Sequence, residues 1–398
     1  MPTTTTVHWT DNLVKILQAQ GMWGGVLATF AFIIIGYVVT RKGIFTKEIN
    51  GKLSKFLISF ALPFLCIIAF MQPANASLGK EIGVVIGVSI AFYVIAAVIS
   101  TLVVKFGANL VPKLVTKKAE QIFAEKQTGD AVAYKDEAIK DIQAKLLTTV
   151  LMLSYGSLQF FAYPLVIAMS GTIFNGSALA LAQIWCIPYM IGAFSYVMLS
   201  YSGEKFSKKN IKPILKAVFS PMMCALYLSL ILWALQFAAP SKYAIVNSIP
   251  YQKVEKGAQF WAGFKANLPA LGKILDSGVA IISPLAWMII GGTLASSNLK
   301  KAAADKSVWV TTLLKLILMP LIMFLIGLVL VKSGAISAST GVLLTLLGAT
   351  PPAAVCIIFS VAAGHSKSVY TAEVSSLSTL LCLVAMPIWI IIAYVTFN

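Results

Sequence analysis

The sequence predicts an all-α integral membrane protein: ten transmembrane helices as a 5+5 inverted repeat, with broken crossover helices in spans four and nine. Three observations predict it. Apolar residues make up 59% of the chain and charged residues only 11%, with a mean hydropathy of +0.87. A soluble domain carries about 25% charged residues to cover its surface. The apolar residues fall in runs long enough to cross a bilayer, which takes about 20 residues as a helix. Prolines then recur at matching places in the two halves.

Ten apolar runs stand out, at 22–41, 53–72, 82–106, 146–170, 179–202, 213–236, 267–295, 308–332, 341–364 and 370–396. Residues 1–21 precede them as an extracytoplasmic N-terminal segment. They lack the basic start, short apolar core and small-residue cleavage site of a signal peptide. Within them, Trp9, Leu13, Ile16 and Leu17 give the stretch from Thr10 to Gln20 one apolar face, suited to a headgroup boundary. Residues 22–202 form the first five-helix repeat and 203–398 the second. An odd number of spans per half forces the second half to run inverted.

Lysine placement sets the direction. Arg41, Lys42, Lys47, Lys52 and Lys55 follow the first run, and Lys205, Lys208, Lys209, Lys212 and Lys216 follow the fifth. Lys300, Lys301 and Lys306 follow the seventh, while the alternate connections are poorer in basic residues, except the 237–266 loop with Lys242, Lys253, Lys256 and Lys265, whose length weakens its vote. Both termini are therefore expected outside the cytoplasm, in a plasma-membrane protein. The insert 107–145 mixes both signs with few apolar anchors and reads as a polar, solvated helical loop on the cytoplasmic side. The insert 237–266, with Pro240, Pro250, Tyr251, Phe260 and Trp261, suits an extracytoplasmic loop touching the interface.

The formal charge of +17 has the same origin. Its lysines lie between apolar runs, where they serve topology and anionic headgroups of the lipid bilayer, with no base-reading motif. No nucleic-acid partner is expected. The five cysteines sit singly inside apolar runs and the two histidines are far apart, so neither a metal nor a cofactor is expected. The spans hold no nucleophile–base pair or carboxylate dyad, which argues against an enzyme.

Pro63 and Pro284 occupy spans two and seven, Pro188 and Pro387 spans five and ten, and Pro164 answers Pro351 and Pro352 in spans four and nine. A mid-helix proline frees backbone groups, which hydrocarbon tolerates only where they meet protein or a polar cavity. Paired interruptions of this kind mark binding sites in inverted-repeat transporters. Around Pro164 gather Tyr155, Gly156, Ser157, Gln159 and Tyr163; Gly348 and Thr350 precede Pro351 and Pro352. Hydroxyls and an amide at two related breaks make these residues the candidate substrate contacts. Charges inside spans are expensive and usually functional. Lys273 and Asp276 are close enough to pair. Lys315 would balance a bound carboxylate or a proton-carrying Glu373, which opens span ten.

The residues also carry a resemblance. Gly36-Tyr37, Arg41-Lys42-Gly43-Ile44, Leu53-Ser54-Lys55 and Ala61-Leu62-Pro63 resemble the opening of the auxin efflux carrier family of permeases. Gly156 and Pro164 match its Gly-Asn-x-x-x-x-Gly-x-Pro crossover, with Ser157 at the usual Asn and Ala162 at the second Gly. Pro284-Leu285-Ala286 through Leu294-Ala295 is similar to a further motif, and Ser378-Thr379 through Pro387 to the family's close, with Cys382 for Ser. The resemblance implies ten helices and secondary transport of small organic anions, carboxylates such as malate. It implies a scaffold of spans one, two, six and seven, an elevator-type mobile unit, and a homodimer through the scaffold helices. By carry-over, Ser157, Pro164, Pro351, Pro352 and Thr379 would line the site. Two alternatives stay open: a sodium-coupled symporter of bile-acid-carrier type, and a transporter-like sensor that does not translocate its ligand.

Overall fold

The computed structural model describes residues 9–126, 134–238 and 259–398, the side chain of Lys209 excepted. In chain order the first helices are α1 (Trp9–Gln18), α2 (Gln20–Arg41), α3 (Lys47–Ala69), α4 (Ala76–Leu110), α5 (Pro112–Lys126) and α6 (Lys135–Ser154). There follow α7 (Leu158–Ala168), α8 (Ala178–Ser202), α9 (Lys208–Val218), α10 (Pro221–Ala238), α11 (Phe264–Asn267) and α12 (Pro269–Ala295). The last are α13 (Leu299–Ala304), α14 (Lys306–Lys332), α15 (Ala338–Ala349), α16 (Ala354–Ala362) and α17 (Ser368–Phe397). Eight of these, α2, α3, α4, α8, α10, α12, α14 and α17, are long and apolar enough to cross a membrane. The protein is an all-helical integral membrane protein. No strand occurs among the described residues.

Proline shapes several helices directly. Lacking an N–H, it displaces the carbonyl one turn earlier, and a wider π-turn accommodates the displacement. Such turns occupy Leu57–Ala61, Leu158–Ala162 and Leu314–Leu318, each ending two residues before Pro63, Pro164 or Pro320. Pro188 and Pro387, by contrast, lie within continuous helix.

The long helices pack in two groups. In one, α2 lies along α12, and α3 along α10 and α12. Hydrocarbon supplies no hydrophobic drive between membrane helices, so small residues that let backbones approach decide where they meet. A Cβ on Gly36 would stand 2.1 Å from the Met288 carbonyl oxygen, and one on Gly291 2.1 Å from that of Ile33. Asn50 on α3 donates to the Ile289 carbonyl at 3.1 Å, and Ser229 on α10 donates to that of Ile67 at 2.8 Å. In the other group, α4 packs on α6 and α8, and α14 on α15 and α17. Glu81 on α4 accepts from the Ser337 N–H at 3.1 Å and so caps the start of α15. Between the groups, α7 rests on α2 and α12, and α8 on α3.

Several expectations change. The sixth apolar run is not one element: helix stops at Phe219 and restarts at Pro221, leaving α9 as a separate amphipathic helix beside α8. Asp276 pairs with Lys265, not with Lys273. Helix α4, the third apolar run, extends to Leu110, and α5 packs on α6 around Val115, Ala119, Ile122 and Ala138. The described parts of the 107–145 insert are thus two packed helices with a small apolar cluster and an ion pair between Lys126 and Glu137 at 2.7 Å. Pro240, Pro250 and Tyr251 lie outside the described residues. Trp261 is buried, and its backbone N–H donates to Gln236 Oε1 at 3.1 Å.

Candidate functional site

Helix α6 ends at Ser154 and α7 begins at Leu158; α15 ends at Ala349 and α16 begins at Ala354. The residue before a proline avoids helical angles, and Thr350, ahead of Pro351, is extended (φ −63°, ψ 145°). Tyr155 (φ −99°, ψ 104°) is extended in the other gap. The two gaps lie antiparallel, Gly156 opposite Pro352. The Ser157 N–H donates to the Pro351 carbonyl at 2.8 Å, and the Ala353 N–H to the Tyr155 carbonyl at 2.9 Å. Backbone groups that proline and the helix ends leave free thus satisfy one another. That pairing lets non-helical chain persist inside the bundle.

Side chains explain why the gaps meet here. A Cβ on Gly156 would lie 2.1 Å from Thr350 Oγ1, so only glycine fits. Thr350 donates its hydroxyl to the Leu347 carbonyl at 2.8 Å, tying off the end of α15. Lys315, buried on α14, donates from Nζ to the Leu153 carbonyl at 2.8 Å. That carbonyl belongs to the last turn of α6, where unpaired C=O groups favour a cation. A cavity of about 10 Å³, near the minimum for one water molecule, lies beside Lys315, Ser154 and Gly156.

An aromatic wall backs the crossing. The Tyr155 ring stands 5.0 Å from Tyr93 and 5.6 Å from Tyr189, and Trp185 donates to the Tyr93 hydroxyl at 3.0 Å. Gln159 Nε2 is 3.6 Å from Met190 Sδ on α8 and Met222 Sδ on α10. The Tyr163 hydroxyl donates to the Ala182 carbonyl at 3.5 Å, and the Pro164 carbonyl accepts from Ser283 on α12 at 3.3 Å.

Tyr155, Ser157, Thr350, Pro351 and Pro352 therefore come together at the crossing, with Lys315 alongside. Gln159, Tyr163 and Pro164 sit on α7, facing its neighbours. Thr379 is half-buried on α17 and, like Glu373, is not among the residues lining the cavity. Glu373 does not meet Lys315. Its partner is Lys301, whose Nζ is 3.1 Å from Glu373 Oε1 but outside hydrogen-bond geometry. Sequence reasoning overlooked Tyr93, Trp185 and Met323 at the cavity. An aromatic with a polar tip in a membrane helix, as at Tyr93, Trp185 and Tyr189, was the available signal.

Together, fold and crossing define a polytopic helical membrane protein in which two non-helical gaps pair beside a buried lysine. A family model described as a membrane transport protein matches residues 139–390, which take in both interrupted segments. The chain belongs to this family of membrane transport proteins. No curated protein matches it.

Proposed function

We propose that the protein is a secondary transporter of small organic anions, carboxylates such as malate, across the cell membrane. Lys315 carries this reading. It is buried at the crossing of two interrupted segments, and no carboxylate lies within ion-pair distance of it among the described residues. A buried cation without a counter-charge is costly unless an anion completes it. The starts of α7 and α16 add the positive ends of two helix dipoles at the same place. Tyr155, Ser157, Gln159, Tyr163, Pro164, Thr350, Pro351, Pro352 and Thr379 are the proposed substrate contacts, with Lys315 and Glu373 in charge balance or coupling.

The proposed architecture is ten spans in two inverted halves, 22–202 and 203–398, with α6/α7 as span four and α15/α16 as span nine. The packing supports it, because each contact type occurs twice. Span one packs on seven as six packs on two; three packs on four as eight packs on nine; three packs on five as eight packs on ten. The grouping also supports an elevator movement in which α2, α3, α10 and α12 stay fixed. The cavity holds about one water, so a carboxylate enters only when the groups shift. The proposal puts both termini outside the cytoplasm of a plasma-membrane protein, with a homodimer contact on the fixed helices.

Uptake of radiolabelled malate, succinate and monocarboxylates into proteoliposomes tests the proposal under proton, sodium and potential gradients. Saturable carboxylate uptake is expected. Absence of flux under every gradient, from protein that remains monodisperse and folded, would overturn it.

A further inference from the structure

Helix α9 is the link between α8 in one helix group and α10 in the other, and it is too short and too polar to cross a membrane. Residues 205–216 hold five lysines and no acid. At helical spacing its surface divides three ways. Asn210 and Ala217 are buried against the protein. On one flank stand Ile211, Ile214, Leu215 and Val218, with Ile211 and Leu215 exposed and Phe219 just beyond. On the other flank Lys208, Lys212 and Lys216 recur every fourth residue, all exposed.

A soluble surface would not leave that apolar flank open, and a spanning helix would not carry that lysine row. A helix lying in the plane of a leaflet needs both: an apolar flank in the acyl boundary, and lysines at the headgroups. Clusters of four to eight basic residues beside a membrane span suit anionic headgroups. The break at Phe219–Ser220 turns the chain from this plane into α10. We propose that α9 docks on anionic phospholipid at the cytoplasmic leaflet, so that lipid charge sets the order of the link joining the two helix groups.

Hydrogen–deuterium exchange on the full chain in nanodiscs tests this without any substrate. The lipid is either pure phosphatidylcholine or phosphatidylcholine with phosphatidylglycerol at roughly one part in three. Each lysine at an anionic surface strengthens partitioning about fivefold. Amides of 208–219 should therefore exchange at least about tenfold more slowly with the anionic lipid. The difference should vanish near 0.5 M salt, where the screening length falls to about 4 Å. It should also vanish in Lys208→Gln/Lys212→Gln/Lys216→Gln, while amides of α10 stay protected and report that the variant is folded. If the single variant Lys212→Gln removes about a third of the effect on a logarithmic scale, the lysine row acts additively, as proposed. Equal exchange in both lipids overturns the proposal and points to apolar insertion alone. So does a lipid effect that survives in the folded triple variant. Because the readout needs no flux, failure of the transport proposal leaves this result standing.

Discussion

Lys315 and Gly156 show how single residues set the character of the crossing. Lys315 is buried and donates to the Leu153 carbonyl. Replacing it with methionine keeps much of its length and removes the cost of a buried charge. Lys315→Met should therefore unfold at a temperature equal to or above that of the parent in detergent. A lost charge-assisted hydrogen bond is worth about 1.5–3 kcal/mol, so carboxylate uptake should fall at least about tenfold. Uptake at the parent rate would remove Lys315 from the site. Gly156 is limited by space: its missing Cβ would meet Thr350 Oγ1, which is committed to the Leu347 carbonyl. Gly156→Ala should cost about 1–3 kcal/mol, as overpacking does. Adding Thr350→Ala removes the colliding oxygen and should restore part of the loss, which thermal unfolding of the double variant checks.

At the scale of elements, α2 and α12 approach each other backbone to backbone. Gly36 and Gly291 each lie against the other helix's backbone, where no side-chain rotation can relieve a clash. Either glycine changed to alanine must push the helices apart, at about 1–3 kcal/mol. One separation serves both sites, so Gly36→Ala/Gly291→Ala should lose less than the sum of the single changes. An additive loss in thermal unfolding would mean that the two contacts yield independently. The connection from α16 to α17 carries a pH signal of its own. Burial, and then the Lys367 charge, push His365 below the usual histidine value of 6.5. Its Nδ1 accepts from the Lys367 N–H at 3.2 Å, and its ring stands 5.0 Å from Tyr201. Because the folded pKa is the lower one, the contribution of His365 to stability is complete above about pH 6.5. It is lost as pH falls through the folded value, where the imidazole must charge. His365→Gln should flatten the decline of the unfolding temperature below pH 6.5, and an unchanged slope would assign that decline elsewhere.

At the scale of the molecule, the question is whether the two helix groups move past each other. The interface runs through α7 on α2, and a Cβ on Gly25 would lie 3.3 Å from Ala168 Cβ. Disulfides favour Cβ separations of about 3.5–4.5 Å, so Gly25→Cys/Ala168→Cys should crosslink on mild oxidation with little distortion. If α7 slides along α2 during the cycle, uptake stops on oxidation and returns with reductant. Full crosslinking with undiminished uptake would exclude that movement. Five native thiols are free, so the variant is compared with oxidised parent.

Much of this was legible in the linear chain, because a bilayer turns composition into geometry. Runs of apolar residues had to become helices that satisfy their own backbones, Pro351–Pro352 had to fall outside helix, and Pro164 left a π-turn ahead of it in α7. The sequence also marked most of the crossing, since hydroxyls and glycines beside those prolines are hard to explain otherwise. It misjudged places where the outcome depended on a partner. Lys265 took Asp276 from Lys273, Lys301 took Glu373, and Lys315 turned to a helix-end carbonyl. It also ran α9 into α10, because an amphipathic helix beside a span extends the apolar run without a marker at the bend. Sequence alone determined that the chain lives in a membrane and is built of helices, and it marked the residues on either side of both gaps. Only the tertiary structure decided which helices share a group, which gap faces which, and what Lys315 touches. The physical reason is that lipid-facing and helix-facing surfaces are equally apolar, so pairing is chosen by fit, as at Gly36, Gly156 and Gly291, which composition does not record.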